Sequence, residues 1–254
     1  MIPGYRVVDL SLPLAEDLPC SWPGNIPFQH KVFEWFTRGF HTRWLMLAEH
    51  TGTHFDAPTH WVPPPDSGLP GAGPAGVIST DRVPLEQLTG PAVVVDLTQS
   101  ISASAPGTSP AIEVEMIEAF EVEHGRIEAG DVVLLRTDWD QRYVAGDEGR
   151  RYVSDFVARR EPAWPAPTAD TVSLLVDRGV RCLGTDTPSV GAAQEAYSAH
   201  VAGLAHGLVY VEGLTGLDQL PVRGGIFVFL PLPVRGGTGA PGRAVCLLQE
   251  GGAA

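Results

Sequence analysis

The sequence predicts an α/β domain built on a mixed sheet, and three observations carry that expectation. Nine short segments rich in branched apolar residues recur along the chain, the pattern of strands buried on one or both faces. Helix signals are fewer and fall between the later of these segments. The 254 residues, 44% hydrophobic and 19% charged, have the composition of a globular fold. Neither an internal repeat nor a linker between two cores interrupts them, so residues 1–254 are expected to form one domain.

The expected strands lie at 7–10, 31–36, 43–47, 93–97, 132–136, 181–184, 208–211, 226–230 and 244–248. A first helix is expected to open at Ser109 as N-cap with Pro110 in its first position, to carry an apolar stripe of Ile112, Met116, Ile117 and Phe120, and to close at Gly125. Thr168 can cap a second helix ending at Gly179, and a third is read from 192 to 206, before Gly207. The charged stretch 142–160 reads as partly helical. Loops rich in proline and glycine lie at 63–76 and 231–242. The first follows the most histidine-rich part of the chain and reads equally as a loop edging a site or as an excursion into solvent.

Thirty acidic against 17 basic residues give a formal charge of −13. This argues against a nucleic-acid partner, because the chain offers phosphate no general attraction, and against a basic membrane patch. The longest apolar run, 225–232, falls short of the roughly 18 residues of a membrane span. Residues 1–9 lack the apolar run and small-residue site of a signal peptide. Cys20, Cys182 and Cys246, without CxxC spacing, read as free thiols in a reducing compartment. A soluble, cytoplasmic protein is expected.

Three of the eight histidines fall within the eleven residues from His50 to His60, together with Asp56. Histidines four apart suggest a helical zinc site, but Gly52, two β-branched threonines and Pro58 oppose a helix, and HExxH is absent. In an extended segment, side chains of equal parity share a face. His50, His54, Asp56 and His60 are therefore expected on one side, with Gly52 leaving space between them. Imidazoles converging with a carboxylate are ligands for a first-row metal, Zn²⁺ or Mn²⁺; the alternative is a hydrogen-bonded polar loop. His200 and Glu212 are the further ligands expected. Glu212 ends the apolar segment 208–211, where an unpaired charge would be costly, and His200 sits in the helix read before it. His206, about 240° further round that helix, cannot face the same way and reads as a partner of the helix C-terminus. His30, His41 and His124 read as ordinary surface or core histidines.

The string His50-x-Gly52-Thr53-His54-x-Asp56-x-Pro58-x-His60 resembles the signature of the cyclase-like metal-dependent hydrolases, the family of bacterial kynurenine formamidases (arylformamidases) and isatin hydrolases. Val8-Asp9-Leu10-Ser11, Ser21-Trp22-Pro23-Gly24, Leu135-Arg136-Thr137, Gly184-Thr185-Asp186-Thr187-Pro188-Ser189, Glu212-Gly213 and Leu230-Pro231-Leu232 match in order. The resemblance implies a cyclase-like mixed-sheet fold of the swivelling β/α type and two adjacent metals; one or two zinc ions, or manganese, are expected. It implies that His50, His54 and Asp56 bind the first ion, Asp56 and His200 the second, and that Glu212 reaches both. It further implies His60 as general acid and base, Trp22 against the substrate ring, and a homodimer or larger homo-oligomer. The sequence departs from the compact kynurenine formamidases in the longer stretches 63–76 and 147–167, in Asn25 and in Val201, which bear on the substrate.

The reaction expected is hydrolysis of a small aromatic or cyclic amide by a metal-activated water, with a small molecule as partner. No GxSxG nucleophile, no cysteine beside the cluster and no phosphate loop ending in GK[ST] competes with this reading. A lactone or isatin ring hydrolase, or a cyclase or dehydratase of a biosynthetic pathway, would use the same residues. A metal-stabilised binding protein would leave His60 dispensable.

Overall fold

All nine apolar segments form strands. The computed structural model describes residues 2–250. Its first part runs β1 (Tyr5–Asp9), β2 (Gln29–Trp35), β3 (His41–Met46), β4 (His54–Asp56) and β5 (Thr89–Asp96). Next come β6 (Ala111–Ile112), α1 (Val114–His124), β7 (Val132–Arg136), α2 (Ser154–Val157), β8 (Ala166–Pro167) and α3 (Ala169–Asp177). The chain finishes with β9 (Cys182–Thr185), α4 (Tyr197–Leu204), β10 (Val209–Glu212), β11 (Gly225–Pro231) and β12 (Gly239–Gln249).

One sheet has the order β1-β12-β11-β5-β7-β9-β10-β4, and β4 pairs also with β12, so seven strands close into a barrel. β5, β7, β9 and β10 are mutually parallel, and the other pairings of this sheet are antiparallel. The parallel pairs need long crossovers, which explains why the helices fall between these strands. The long β12 takes β4 along Gly239–Pro241 and β1 along Val245–Gln249.

The parallel strands read as continuous apolar runs because both of their faces are covered. Val94, Leu134, Val211, Phe55, Phe227 and Phe229 fill a core that contains no α-helix residue, the barrel interior. Val93, Val133, Leu183 and Tyr210 point the other way, onto Ile117 of α1, Val172 and Leu175 of α3, and Leu204 of α4. A third cluster joins Trp139, Tyr143, Tyr152 and Trp164 to Cys20 and Phe28. Its approach is fixed by Asp186, which accepts from the backbone N–H groups of Thr137 (2.7 Å) and Asp138 (2.8 Å) and from the Thr137 hydroxyl. Asp138 is held there at a φ of 59°. Burial pushes the Asp186 carboxyl up to about 7 against those donors.

The helix expectations need correction at two places. Residues 111–112 pair with β8 instead of opening a helix, so α1 begins at Val114 after Glu113, and the Ser109 hydroxyl instead accepts from the Ala193 N–H. The third helix is shorter than read, Tyr197–Leu204, because residues 192–195 fold into a bridge between Ala192 and Glu195. The stretch 142–160 is helical in part, as expected, with one turn of α-helix, α2, and short 3-10 turns. The Thr168 cap is as expected, its hydroxyl accepting from the Thr171 N–H. Among the described residues no helix is long and apolar enough to cross a membrane. The three cysteines are buried and free.

Candidate active site

β4 carries two of the candidate ligands because period-2 alternation sends Phe55 into the barrel core and His54 and Asp56 to the opposite face. Glu212 at the end of β10 stands opposite His54 in the antiparallel register, and α4 brings His200 over the same face. All four side chains are buried. His50 and His60 approach from outside the strand. Gly52, at a φ of 60°, breaks the extension before β4, and Pro58 opens a 3-10 turn that ends at His60. Parity therefore accounts for His54 and Asp56, whereas His50 and His60 reach the site through turns. Gly52 serves the turn itself: a Cβ there would lie 2.4 Å from Leu14 Cδ2.

The ring of His60 stacks on that of His50 at 3.9 Å, and Trp61 stacks on His200 at 4.6 Å. His54 Nε2 is 3.4 Å from Glu212 and 3.7 Å from Asp56; His200 Nε2 is 3.6 Å from Asp56 and 3.5 Å from Glu212. These gaps exceed the roughly 2.7–2.9 Å of a charge-assisted hydrogen bond. They match the roughly 3.3 Å between two atoms that each lie about 2.0–2.1 Å from a tetrahedral ion. The other ring nitrogens of His54 and His200 donate to the carbonyls of Gly52 (2.8 Å) and Ala196 (2.7 Å), which leaves each neutral Nε2 a lone pair aimed at carboxylates. Lone pairs facing carboxylates in a buried site call for a cation, so the donor set fits a metal ion. The ligand atoms of His54, Asp56 and Glu212 lie within 4.8 Å of one another, as do those of His50, Asp56 and His60.

Without an ion the charges lean on one another. Burial opposes ionisation of Asp56, but His60, His50 and His54 hold its carboxyl well below the usual range. Burial and Asp56 oppose ionisation of Glu212, and His200 and His54 outweigh them. Burial disfavours the charged forms of His54 and His200, yet Glu212 and Asp56 raise both. His60 goes the other way: burial lowers it, with His50 and His200 adding to the effect against the pull of Asp56.

The donors open on a cavity of about 310 Å³. Trp22 lines it, 38% exposed and edge-on to Phe156 and Trp164 at 5.9 and 5.6 Å. No residue of 63–76 does; Tyr143, Tyr152 and Val153 also line it. The longer loop is thus a surface feature, and the charged stretch 142–160, read as partly helical, supplies part of the lining. Sequence reasoning missed these two tyrosines because nothing in their spacing marks a common face. It also missed Trp61, whose only signal is its place directly after His60. His206 is exposed with Nδ1 toward the Ala202 carbonyl at 2.9 Å, and His30, His41 and His124 lie outside the site.

A family model described as a putative cyclase matches residues 8–192. The chain belongs to the putative cyclase family. Among family relatives, isatin hydrolase of Roseibium aggregatum is 35% identical over 244 residues, which cover 92% of this chain and 86% of its own. Kynurenine formamidase of Salinibacter ruber is 31% identical over 231 residues, 88% of this chain and 89% of its own. Isatin hydrolase A from Labrenzia aggregata, solved with benzyl benzoate bound, superposes with a TM-score of 0.79 at 31% identity, over 97% of this chain and 95% of that one. An isatin hydrolase bound to the product analogue thioisatinate gives 0.80 at 28% identity, over 97% and 94%.

Proposed function

We propose that the chain, as one catalytic domain, is a metal-dependent hydrolase that cleaves the amide C–N bond of a small aromatic or cyclic amide, of the isatin or N-formylkynurenine type. The observation that carries this reading is the buried set of His54, Asp56, His200 and Glu212, whose imidazole nitrogens face the carboxylate oxygens at 3.4–3.7 Å in an aromatic-walled cavity. The family relatives named isatin hydrolase and kynurenine formamidase support the reaction class.

His50, His54, Asp56, His200 and Glu212 would hold one or two ions, Zn²⁺ or Mn²⁺. When bound, such an ion supplies a Lewis acid for the carbonyl and lowers the pKa of water. His60, neutral near pH 7 through burial, accepts a proton from the attacking water and returns it to the leaving nitrogen as the C–N bond breaks. The products are a carboxylate and an amine. Tyr143, Tyr152 and Trp22 exclude solvent and hold a planar substrate. Metal analysis with a hydrolysis screen over isatins, aryl formamides and lactones tests the reading; a metal-loaded protein that leaves every amide intact overturns it.

If Trp22 stacks on the substrate ring, Trp22→Ala raises KM about threefold to tenfold, the equivalent of an aromatic pair worth about 0.5–1.5 kcal/mol, and leaves metal content unchanged. Phe at this position restores most of the affinity. Equal KM values for Ala and wild type assign Trp22 to packing against Phe156 and Trp164.

The expected homodimer has a surface to form on. Among the described residues β2 and β3 pair only with each other, and such a two-strand ribbon is marginal alone in water. It exposes Phe33, Trp35, Phe36, Trp44 and Leu45. Within 29–46, Lys31, Arg38 and Arg43 stand against Glu34 in a chain of net charge −13, so the ribbon attracts the acidic body of a second copy. Phe33→Asp with Trp35→Asp is expected to convert a dimer to a monomer in sedimentation. A wild-type monomer, or a dimer that survives the change, removes the ribbon as the interface.

A further inference from the structure

Thr238 lies in the proline- and glycine-rich segment 231–242, between two glycines, and connects Glu49 to His50. Its N–H and hydroxyl both donate to Glu49 Oε2, at 3.0 and 2.6 Å. Its Oγ1 also lies 3.1 Å from His50 Nε2. A threonine hydroxyl has one proton and an ionised glutamate has none to give. With that proton committed to Glu49, Thr238 can only accept from His50, so Nε2 carries hydrogen. In the neutral ring Nδ1 then bears the lone pair; it lies 2.8 Å from Asp56 Oδ1, and the carboxylate, which can only accept, competes for the same hydrogen until an ion takes its place.

The close approach is built on both sides of the threonine. A Cβ on Gly237 would lie 2.8 Å from Glu49 Oε1, and one on Gly239 would lie 2.5 Å from the His50 ring and from the Phe55 carbonyl. The Thr238 carbonyl accepts from the Ala57 N–H at 2.9 Å, which ties the same residue to the end of β4. We propose that Glu49 and Thr238 are positioning residues that fix the tautomer and orientation of His50, so that Nδ1 is presented to a metal ion beside Asp56. This rests on the reading of His50 as a ligand. Partners of a ligating histidine's second nitrogen set ring orientation and basicity, and losing one typically costs about 10- to 100-fold in metal affinity.

The test uses three variants and two readouts. Thr238→Val keeps shape and removes the hydroxyl; Glu49→Ala, at a half-buried position, frees the hydroxyl to donate to either side; Thr238→Ser keeps the relay. In metal-free protein with a neutral ring, the ¹⁵N signals of His50 are expected to show hydrogen on Nε2 in wild type and Thr238→Ser, and a shifted tautomer ratio in Thr238→Val and Glu49→Ala. Competition with a chelator for Zn²⁺ is expected to give about 10- to 100-fold weaker binding for Thr238→Val and near-wild-type binding for Thr238→Ser. An unchanged tautomer in the folded variants, or undiminished Zn²⁺ affinity with the hydroxyl gone, overturns the relay; if Thr238→Val does not fold, Glu49→Ala carries both readouts. Wild-type protein that binds no ion removes the metal reading instead, while the ¹⁵N signals still decide whether Glu49 and Thr238 set the ring.

Discussion

A His60→Ala variant is expected to keep its fold and its metal while turnover falls about 10²- to 10⁴-fold, the usual contribution of a positioned general acid and base. Its ring is carried at the end of the 3-10 turn Pro58–His60 and stacks on His50 at 3.9 Å, within reach of the cavity. Burial, with His50 and His200, keeps it below the ordinary histidine range, so it is neutral and able to accept a proton near pH 7. The check is kcat together with metal content per chain. Wild-type turnover in the variant makes some other group the proton carrier, with Glu212 the next to test. Loss of the ion makes His60 a ligand, a role its place beside His50 and Asp56 also permits.

His54→Ala is expected to lose both the ion and the activity. The imidazole is 5% exposed and fixed by its bond to the Gly52 carbonyl, and its Nε2 faces Asp56 and Glu212 together. Alanine leaves two buried carboxylates without that donor. Because an ion that binds only the folded chain stabilises it, by about 2.7 kcal/mol at a hundred times Kd, a chelator should lower the melting temperature of wild type and leave that of the variant unmoved. Stoichiometric metal in His54→Ala, read by elemental analysis, overturns the donor set.

Much of this was legible in the residues. Branched apolar runs marked all nine expected strands, and most cleanly the parallel β5, β7, β9 and β10, which have no polar face to confuse the pattern. The three-residue β4 was not announced as a strand of the sheet; its polar ends serve the site. Ser109 misled because a sound cap signal lost to strand pairing at 111–112, a tertiary contact that local preference does not encode. Glu212 was legible as a charge at the end of an apolar run. Thr238 was not, since its link to His50 joins positions 188 residues apart and neither carries a pattern of its own.

The closure of the barrel by β4 on β12 has a consequence for synthesis. His54–Asp56 is synthesised well before its partners Gly239–Pro241, and pairings over such a span are slow to form. Until β12 emerges, β4 has only β10 to pair with and keeps its other edge open. The barrel wall that carries His54 and Asp56 therefore closes late.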